Sequence, residues 1–168
     1  GYVAQVPFLF STTMATNIAY GSPAAGDDQI HQAADQAQVD DDIRGFDLGY
    51  QTILGERGVT LSGGQKQRTT LARALLRRPS ILILDDSLSA VDTNTETAIL
   101  GHLRQIMANR TTILIAHRIS TLRDADHIVV LDDGSIAEQG THEQLIARDG
   151  FYADLARRQE LAAELDTL

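Results

Sequence analysis

The sequence contains no cysteine and no tryptophan among its 168 residues. Without cysteine there is no disulfide and no thiolate-bound metal, which fits a cytosolic setting. No apolar run approaches the roughly 20 residues that a membrane-spanning helix needs, so none of the sequence is expected to cross a bilayer. The first residues have neither a basic region nor an apolar core, so we do not expect a signal peptide.

Basic residues are also scarce, since 14 lysines and arginines face 23 acids and the net charge is -9. Nucleic-acid binding usually requires a basic face, so we expect no nucleic-acid partner. The nearest approach to a basic cluster comprises Arg68, Arg73, Arg77 and Arg78, which we interpret as cations near a helix carboxyl end. The hydrophobic fraction of 43% is ordinary for a soluble globular domain.

The first part of the chain, from about residue 8 to 58, is predicted to form short helices broken by glycine and proline. Ile30, Ala33 and Ala34 recur at helical spacing. The acid run 40–42 is interpreted as a solvated helix end rather than a metal site.

From residue 62 onward the pattern alternates between helix and strand. Ser62 followed by Gln65 is a capping box, which predicts a helix start. The apolar run 81–84 predicts a parallel strand buried on both faces, and 111–116 predicts a second buried strand. A helix is expected after Asp92. This alternation indicates an α/β fold with a parallel sheet.

The last part is predicted to hold a β-hairpin around the Asp-Asp-Gly turn at 132–134. A second capping box, Thr141 with Gln144, predicts another helix start. A final amphipathic helix is expected from about Phe151.

Two motifs carry chemistry. At Ser62-Gly63-Gly64 a helix amino terminus with glycines lets backbone amides approach a phosphate, although a tight turn with an ordinary cap is the alternative. Asp85 follows an apolar strand, where an acid can hold Mg²⁺ beside phosphates, although it also suits a simple strand–helix turn. The one lysine, Lys66, lies two residues after the first motif and is followed by Gln67, so the sequence has no Gly-Lys-Ser/Thr phosphate loop.

In this order the motifs resemble those of the nucleotide-binding domain of an ATP-binding cassette (ABC) transporter, over essentially the whole chain. The matching segments are Gln5 with 8–10 (glutamine loop), 61–65 (signature), 81–85 (Walker B), 89–92 (D-loop) and His117 (switch histidine). Residues 55–58 and 140–142 resemble elements of the exporter type.

The resemblance implies a P-loop NTPase-like α/β fold with a parallel-sheet core and a helical signature subdomain. We expect a partial domain: a helical subdomain at about 8–78, a sheet core at about 79–140 and carboxyl-terminal helices at about 141–168. This partial domain is expected to begin just before the glutamine loop, without the first strands and the Walker A motif of the family. A partly exposed sheet edge, an exposed apolar face and poor solubility would follow.

The implied activity is ATP hydrolysis that powers export across a membrane. Two such domains face each other head to tail, and each signature contacts the nucleotide held by the other domain. By this resemblance the nucleotide-binding residues are Ser62, Gly63, Gly64, Gln65 and Asp92.

The resemblance also implies that Gln5 and Asp85 serve Mg²⁺, while Asp86, His117 and Gln5 act in catalysis. Asp86 departs from the family, which carries glutamate there. Its carboxylate lies about 1 Å short, and such a misplacement can cost about 10²-fold in rate. We therefore expect a degenerate site and a non-identical partner subunit. The alternative is that a local shift or an added water keeps aspartate active.

We expect the domain at the cytoplasmic face of the cell membrane, attached to the transmembrane domain of the same full-length chain. A soluble ABC ATPase acting on DNA or ribosomes, and an inactive interaction-only fragment, are the alternatives.

Overall fold

The computed structural model describes residues 1–55, 60–107 and 110–165. Most of the exporter-like element at 55–58 therefore lies outside the described residues. The chain forms two compact units, Gly1–Ile115 and Ala116–Leu168. The three-part division expected from the sequence stays a prediction.

The described helices and strands largely follow the predicted order. The first unit contains β1 (Tyr2–Val3), α1 (Met14–Ala19), α2 (Asp27–Gln36), α3 (Asp40–Arg44), a 3₁₀ turn (Gly49–Gln51), α4 (Gly63–Leu76), β2 (Ile81–Asp85), α5 (Thr93–Met107) and β3 (Thr111–Ile115). The second unit contains α6 (Ile119–Leu122), β4 (Ile128–Asp132), β5 (Ser135–Gly140), α7 (His142–Ala147) and α8 (Phe151–Leu165). Within the described ranges, no helix combines the length and apolarity needed to span a membrane.

The sheet of the first unit has three parallel strands in the order β1-β2-β3. Strand β1, which the sequence analysis did not predict, pairs Tyr2 with Ile83 and Val3 with Leu84. The carboxyl ends of parallel strands share one edge of a sheet, where ligands bind in α/β folds. The residues that follow β1 and β2 therefore meet at this edge.

Burial of the sheet differs from the prediction. Leu82 and Leu84 are fully buried in one cluster with side chains of α4 and α5. On the other face Ile81, Ile113 and Ile115 are about half exposed, at 53%, 49% and 47%. The prediction that β2 is buried on both faces was wrong, because the helices of this unit cover only one face. The prediction that β3 is a buried strand was also wrong, since none of its residues is fully buried. The expected exposed apolar face is confirmed, whereas poor solubility stays a prediction.

The acid run at the start of α3 is not simply solvated, contrary to the sequence interpretation. Asp40 accepts hydrogen bonds from Arg44 Nε at 2.6 Å and from the Tyr50 hydroxyl at 2.5 Å. Burial opposes ionisation of Asp40, but the bonds from Arg44 and Tyr50 outweigh it and lower the pKa of the carboxyl. Asp40 therefore bonds α3 to the 3₁₀ turn that contains Tyr50.

In the second unit β4 and β5 form the predicted hairpin, and pair antiparallel. Thr141 caps α7 in the predicted capping box. Helix α8 begins at Phe151, as expected, whereas α6 was not predicted. Leu145 and Tyr152 are buried in the core of this unit.

A buried amide organises the loop that precedes α1. Asn17 is fully buried, and its Oδ1 accepts the Phe10 backbone N–H at 2.9 Å and Arg73 Nη2 at 3.1 Å. Its Nδ2 donates to the carbonyls of Phe10 and Thr13. Arg73 lies over the Phe10 ring and donates from Nε to the Asn17 carbonyl at 2.8 Å. This half-buried arginine thus bonds α4 to the loop before α1 and to α1 itself, and is not part of a basic surface.

We expect Asn17→Ala to lower the free energy of unfolding by about 1–3 kcal/mol for each buried partner left unsatisfied, chiefly the Phe10 amide. Urea unfolding measures this. Asn94→Ala is the control, because Asn94 is exposed on α5 and an exposed substitution usually changes stability by less than about 0.5 kcal/mol. Equal stability of the two variants would contradict the role given to Asn17.

Candidate nucleotide-phosphate site

The amino end of α4 is built as the capping box predicted. The Ser62 Oγ accepts the Gln65 backbone N–H at 3.2 Å, and Gln65 Oε1 accepts the Ser62 N–H at 3.0 Å. The Lys66 N–H donates to the Ser62 carbonyl. These bonds leave the amides of Gly63 and Gly64 for an outside acceptor. Because a helix amino end carries partial positive charge, an anion such as a phosphate is the acceptor that fits.

Asp42 holds this turn from α3. Its Oδ1 accepts Gln65 Nε2 at 2.9 Å, and its Oδ2 accepts Arg68 Nη1 at 2.7 Å. Both oxygens of one carboxylate thus fix the first two turns of α4. In this structure the Gln65 side chain supports the turn from within, and its contact with a nucleotide stays a prediction.

Gly63 and Gly64 lie against the loop that follows β2. A Cβ on Gly64 would come within 2.9 Å of the Ala90 carbonyl oxygen, a distance that real Cβ atoms essentially never show. A Cβ on Gly63 would be 3.4 Å from the Ala90 Cβ, which is an ordinary contact. Gly64 is therefore required by close packing as well as by any approach of a phosphate.

Four polar side chains meet at the carboxyl edge of the sheet. The Tyr2 hydroxyl donates to Asp85 Oδ2 at 2.9 Å, and this bond to a carboxylate raises the pKa of Tyr2. Gln5 Nε2 donates to Asp86 Oδ2 at 3.1 Å. The structure thus brings Gln5 and Asp86 into direct contact, and Asp85 is adjacent to Asp86 in the chain.

The backbone of Asp86 has a left-handed φ of 45°. Its N–H donates to the Ile115 carbonyl at 2.9 Å, and its carbonyl accepts the Ser89 N–H and hydroxyl. Aspartate tolerates this region better than most residues because its short polar side chain bonds locally. The loop therefore leaves the sheet in a fixed direction.

Asp92 is the cap of α5. Its Oδ1 accepts the Thr95 backbone N–H at 3.0 Å, and this bond is the main cause of the lowered pKa of the carboxyl. One carboxylate oxygen is therefore committed to the helix, and the nucleotide role of Asp92 stays a prediction.

His117 belongs to the second unit. Its carbonyl accepts Gln159 Nε2 at 2.7 Å, and Gln159 Oε1 accepts the Ile119 N–H at 2.8 Å. Gln159 of α8 thus fixes the backbone on both sides of the turn that enters α6. The catalytic role of His117 stays a prediction.

The donor set suits a magnesium nucleotide. Asp85 and Gln5 offer carboxylate and amide oxygens, the hard ligands that Mg²⁺ prefers. The described residues contain no group of three or more histidines and acids placed to hold a metal. Mg²⁺ commonly takes one or two carboxylates and fills its other positions with phosphate oxygens and water, so a single acid at the sheet edge is sufficient.

Two supporting residues escaped the sequence analysis. Tyr2 lies on a two-residue strand, which is too short to give a periodic pattern. Asp42 was hidden in an acid run, and its bond to Gln65 spans 23 positions. No local signal identifies either contact.

Comparison with known proteins shows which family the chain belongs to. The ABC transporter family profile matches residues 1–89. The mitochondrial potassium channel ATP-binding subunit of Xenopus tropicalis is 55% identical over 159 residues, which are 95% of this chain and 23% of that protein. The multidrug resistance-like ATP-binding protein MdlA of Escherichia coli (strain K12) is 53% identical over 164 residues, 98% of this chain and 28% of that protein.

A solved structure of a bacterial Atm1-family ABC exporter with ATP bound superposes with a TM-score of 0.90 at 48% identity, over 95% of this chain and 28% of that one. The fold is thus the mixed α/β ABC ATPase fold with its parallel sheet, as predicted. The chain belongs to the ABC transporter family. It spans about a quarter of the length of the curated relatives that it matches.

The Asp92 cap gives a pH-dependent stability. Folding lowers the pKa of the Asp92 carboxyl, so the charged carboxylate stabilises the folded protein at pH values above the unfolded pKa of about 3.9. This stabilisation is lost as the pH falls through the lower pKa of the folded state. Asp92→Asn keeps a good cap without the charge. We therefore expect the variant to be less stable than the wild type near neutral pH, with the difference closing as the pH falls below about 3.9.

Urea unfolding of both proteins across this pH range measures the difference. Asp92→Ala is the companion variant, because it removes the cap and should be destabilised at every pH. A wild-type advantage over Asp92→Asn that does not change with pH would contradict this account.

Proposed function

We propose that this chain is part of the ATP-binding and ATP-hydrolysing domain that powers export of a substrate across a membrane. The observation that carries the proposal is the end of α4, where the capping box leaves the amides of Gly63 and Gly64 for a phosphate. Membership of the ABC transporter family and the likeness to an exporter with ATP bound support it.

In this proposal Ser62, Gly63 and Gly64 hold the terminal phosphate of a nucleotide bound by a second domain. The Ser62 Oγ accepts a backbone N–H, so its own hydrogen remains for donation to a phosphate oxygen. Gln65 and Asp92 complete this nucleotide contact. Two backbone amides and a hydroxyl suit an oxyanion, and none of them changes charge during the reaction.

Asp85 and Gln5 hold Mg²⁺ at this chain's own sheet edge, and bound Mg²⁺ supplies positive charge that neutralises the phosphates. Gln5 and Asp86, joined at 3.1 Å, position the attacking water. His117 contacts an oxygen of the terminal phosphate of the nucleotide that this chain's own domain binds. Each of these residues positions or polarises groups, which is what phosphoryl transfer requires of a protein.

Asp86 sets this site apart. A carboxylate one methylene shorter than glutamate lies about 1 Å back, at a cost of about 10²-fold in rate. The Gln5 amide also occupies one of its oxygens. We propose that this site is degenerate, while the intact signature serves the competent site of a non-identical partner subunit.

The partners are a second ABC nucleotide-binding domain and the transmembrane domain of the longer protein that contains this chain. We place the domain at the cytoplasmic face of the cell membrane, although five curated relatives, that of Xenopus tropicalis among them, are mitochondrial by name. A nucleic-acid partner is disfavoured by the net charge of -9 and by the pairing of Arg68 and Arg73 inside the fold.

In the longer protein assembled with its partner, we expect Gly64→Asp to abolish nearly all ATP hydrolysis, because it places a negative side chain at the phosphate. Asp86→Glu should raise hydrolysis modestly or leave it unchanged, since the site is degenerate. Steady-state release of phosphate by each assembly measures both effects.

A second glycine variant separates charge from packing. Gly63→Asp brings the same charge to a position where a Cβ meets only an ordinary 3.4 Å contact, so its loss of activity reports on the phosphate. If Asp86→Asn were as damaging as Gly64→Asp, the site would not be degenerate.

We also expect the 168-residue chain by itself to bind MgATP very weakly and to hydrolyse none, because its one lysine lies in the signature helix. Isothermal titration and a phosphate-release assay test this. Binding at micromolar concentration would refute the expectation.

A further inference from the structure

Gln67 connects the signature helix to the D-loop at 89–92 through both ends of its side chain. It lies on α4 one turn beyond the glycines and is only 3% exposed. Its Nε2 donates to Ser89 Oγ at 3.3 Å, and its Oε1 accepts the Ala90 backbone N–H at 3.0 Å. A buried amide that pairs both its donor and its acceptor fixes the distance and orientation of the two segments.

The D-loop end of this connection continues to the sheet edge. The Ser89 hydroxyl donates to the Asp86 carbonyl at 2.9 Å. Asp86 in turn accepts the Gln5 amide through Oδ2 at 3.1 Å. Contacts therefore run from Gln67 through Ser89 and Asp86 to Gln5.

Steric contact reinforces these bonds at the phosphate-facing turn. The Ala90 carbonyl leaves no room for a Cβ on Gly64, so this loop and the turn are in direct contact. Movement of the loop towards α4 is opposed by this contact, and movement away stretches both bonds of Gln67. The two segments are held at one spacing.

We propose that Gln67 is a positioning residue that couples the signature turn to the Asp86–Gln5 pair of the same chain. The inference rests on the proposed function, in which Gly63 and Gly64 hold a nucleotide bound by the partner. Occupancy of the partner's nucleotide then biases the geometry at this chain's sheet edge. Coupling of this kind is reciprocal, so the sheet edge equally biases the signature.

The test uses the longer protein in its complete assembly. Gln67→Leu removes both bonds at similar volume, Ser89→Ala removes the shared hydroxyl, and the double variant carries both changes. Hydrogen exchange of the peptide that covers 86–92, without nucleotide, reports whether the loop is still held. Steady-state kinetics with MgATP give kcat and KM.

We expect Gln67→Leu to speed exchange in 86–92. It should also lower kcat about 10-fold or more with KM little changed, because the signature turn serves the partner's competent site and a misplacement of about 1 Å there costs up to about 10²-fold. Ser89→Ala should lower kcat in the same direction. The double variant should be no worse than the poorer single variant, because both changes break one connection.

Leu75→Val is the structural control. Leu75 is buried on the same helix two turns beyond Gln67 and lines a cavity with Gln29 and Gln32 of α2, so the variant loosens the core without removing either hydrogen bond of Gln67. It should leave exchange in 86–92 and kcat at wild-type values at a temperature where all variants are folded.

Three results would overturn the inference: unchanged exchange in Gln67→Leu, faster exchange with an unchanged kcat, or losses that multiply in the double variant. Failure of the proposed function has a different signature. In that case Gly63→Asp, which adds the charge without a close backbone contact, would hydrolyse ATP at the wild-type rate, whatever Gln67→Leu does.

Discussion

The turn that begins α4 meets two opposing demands, and the rest of the structure depends on how they are met. It must be rigid, yet the amides of Gly63 and Gly64 must stay unpaired if they are to hold a phosphate. The reciprocal bonds of Ser62 and Gln65 provide rigidity without using these amides. Asp42 then fixes Gln65 from outside the helix, so the unpaired donors lie on an ordered frame.

The sheet edge shows a related compromise at Asp86. Its left-handed φ of 45° suits aspartate better than most side chains, since short polar residues are enriched in this region. Glutamate would reach farther from the backbone, but it adopts this left-handed conformation less readily than aspartate. Aspartate at this position therefore suits the local turn but has the shorter side chain. The Gln5 amide that bonds to it restrains the carboxylate further.

Local signals in the sequence predicted most of the elements, but not the contacts between them. Both capping boxes, the hairpin and strand β2 follow from patterns within a few residues, and all are present. Burial of β2 on only one face could not be predicted, because it depends on which elements cover the sheet. The bond from Asp42 to Gln65 crosses 23 positions, and a run of acids usually indicates a solvated surface.

The site residues divide along the same line. Ser62, Gly63, Gly64, Asp85 and Asp86 stand out because a helix start and a strand end are visible in the sequence. Gln67 does not stand out, since a glutamine inside a helix carries no local signal. Only the folded chain shows that it meets Ser89 and Ala90, 22 and 23 positions away.

Two features of the turn depend on the absence of a side chain at Gly64. One is access to its amide, and the other is the contact between α4 and the loop that contains Ala90. Towards the open end of α4 it has no side chain, so a phosphate can come close to its amide. Towards the protein the Ala90 carbonyl takes the space of a Cβ. A residue with a Cβ would therefore push the Ala90 carbonyl away, and the loop cannot move closer to the helix. Contact between the Ala90 carbonyl and Gly64 therefore ties the position of this loop to that of the turn.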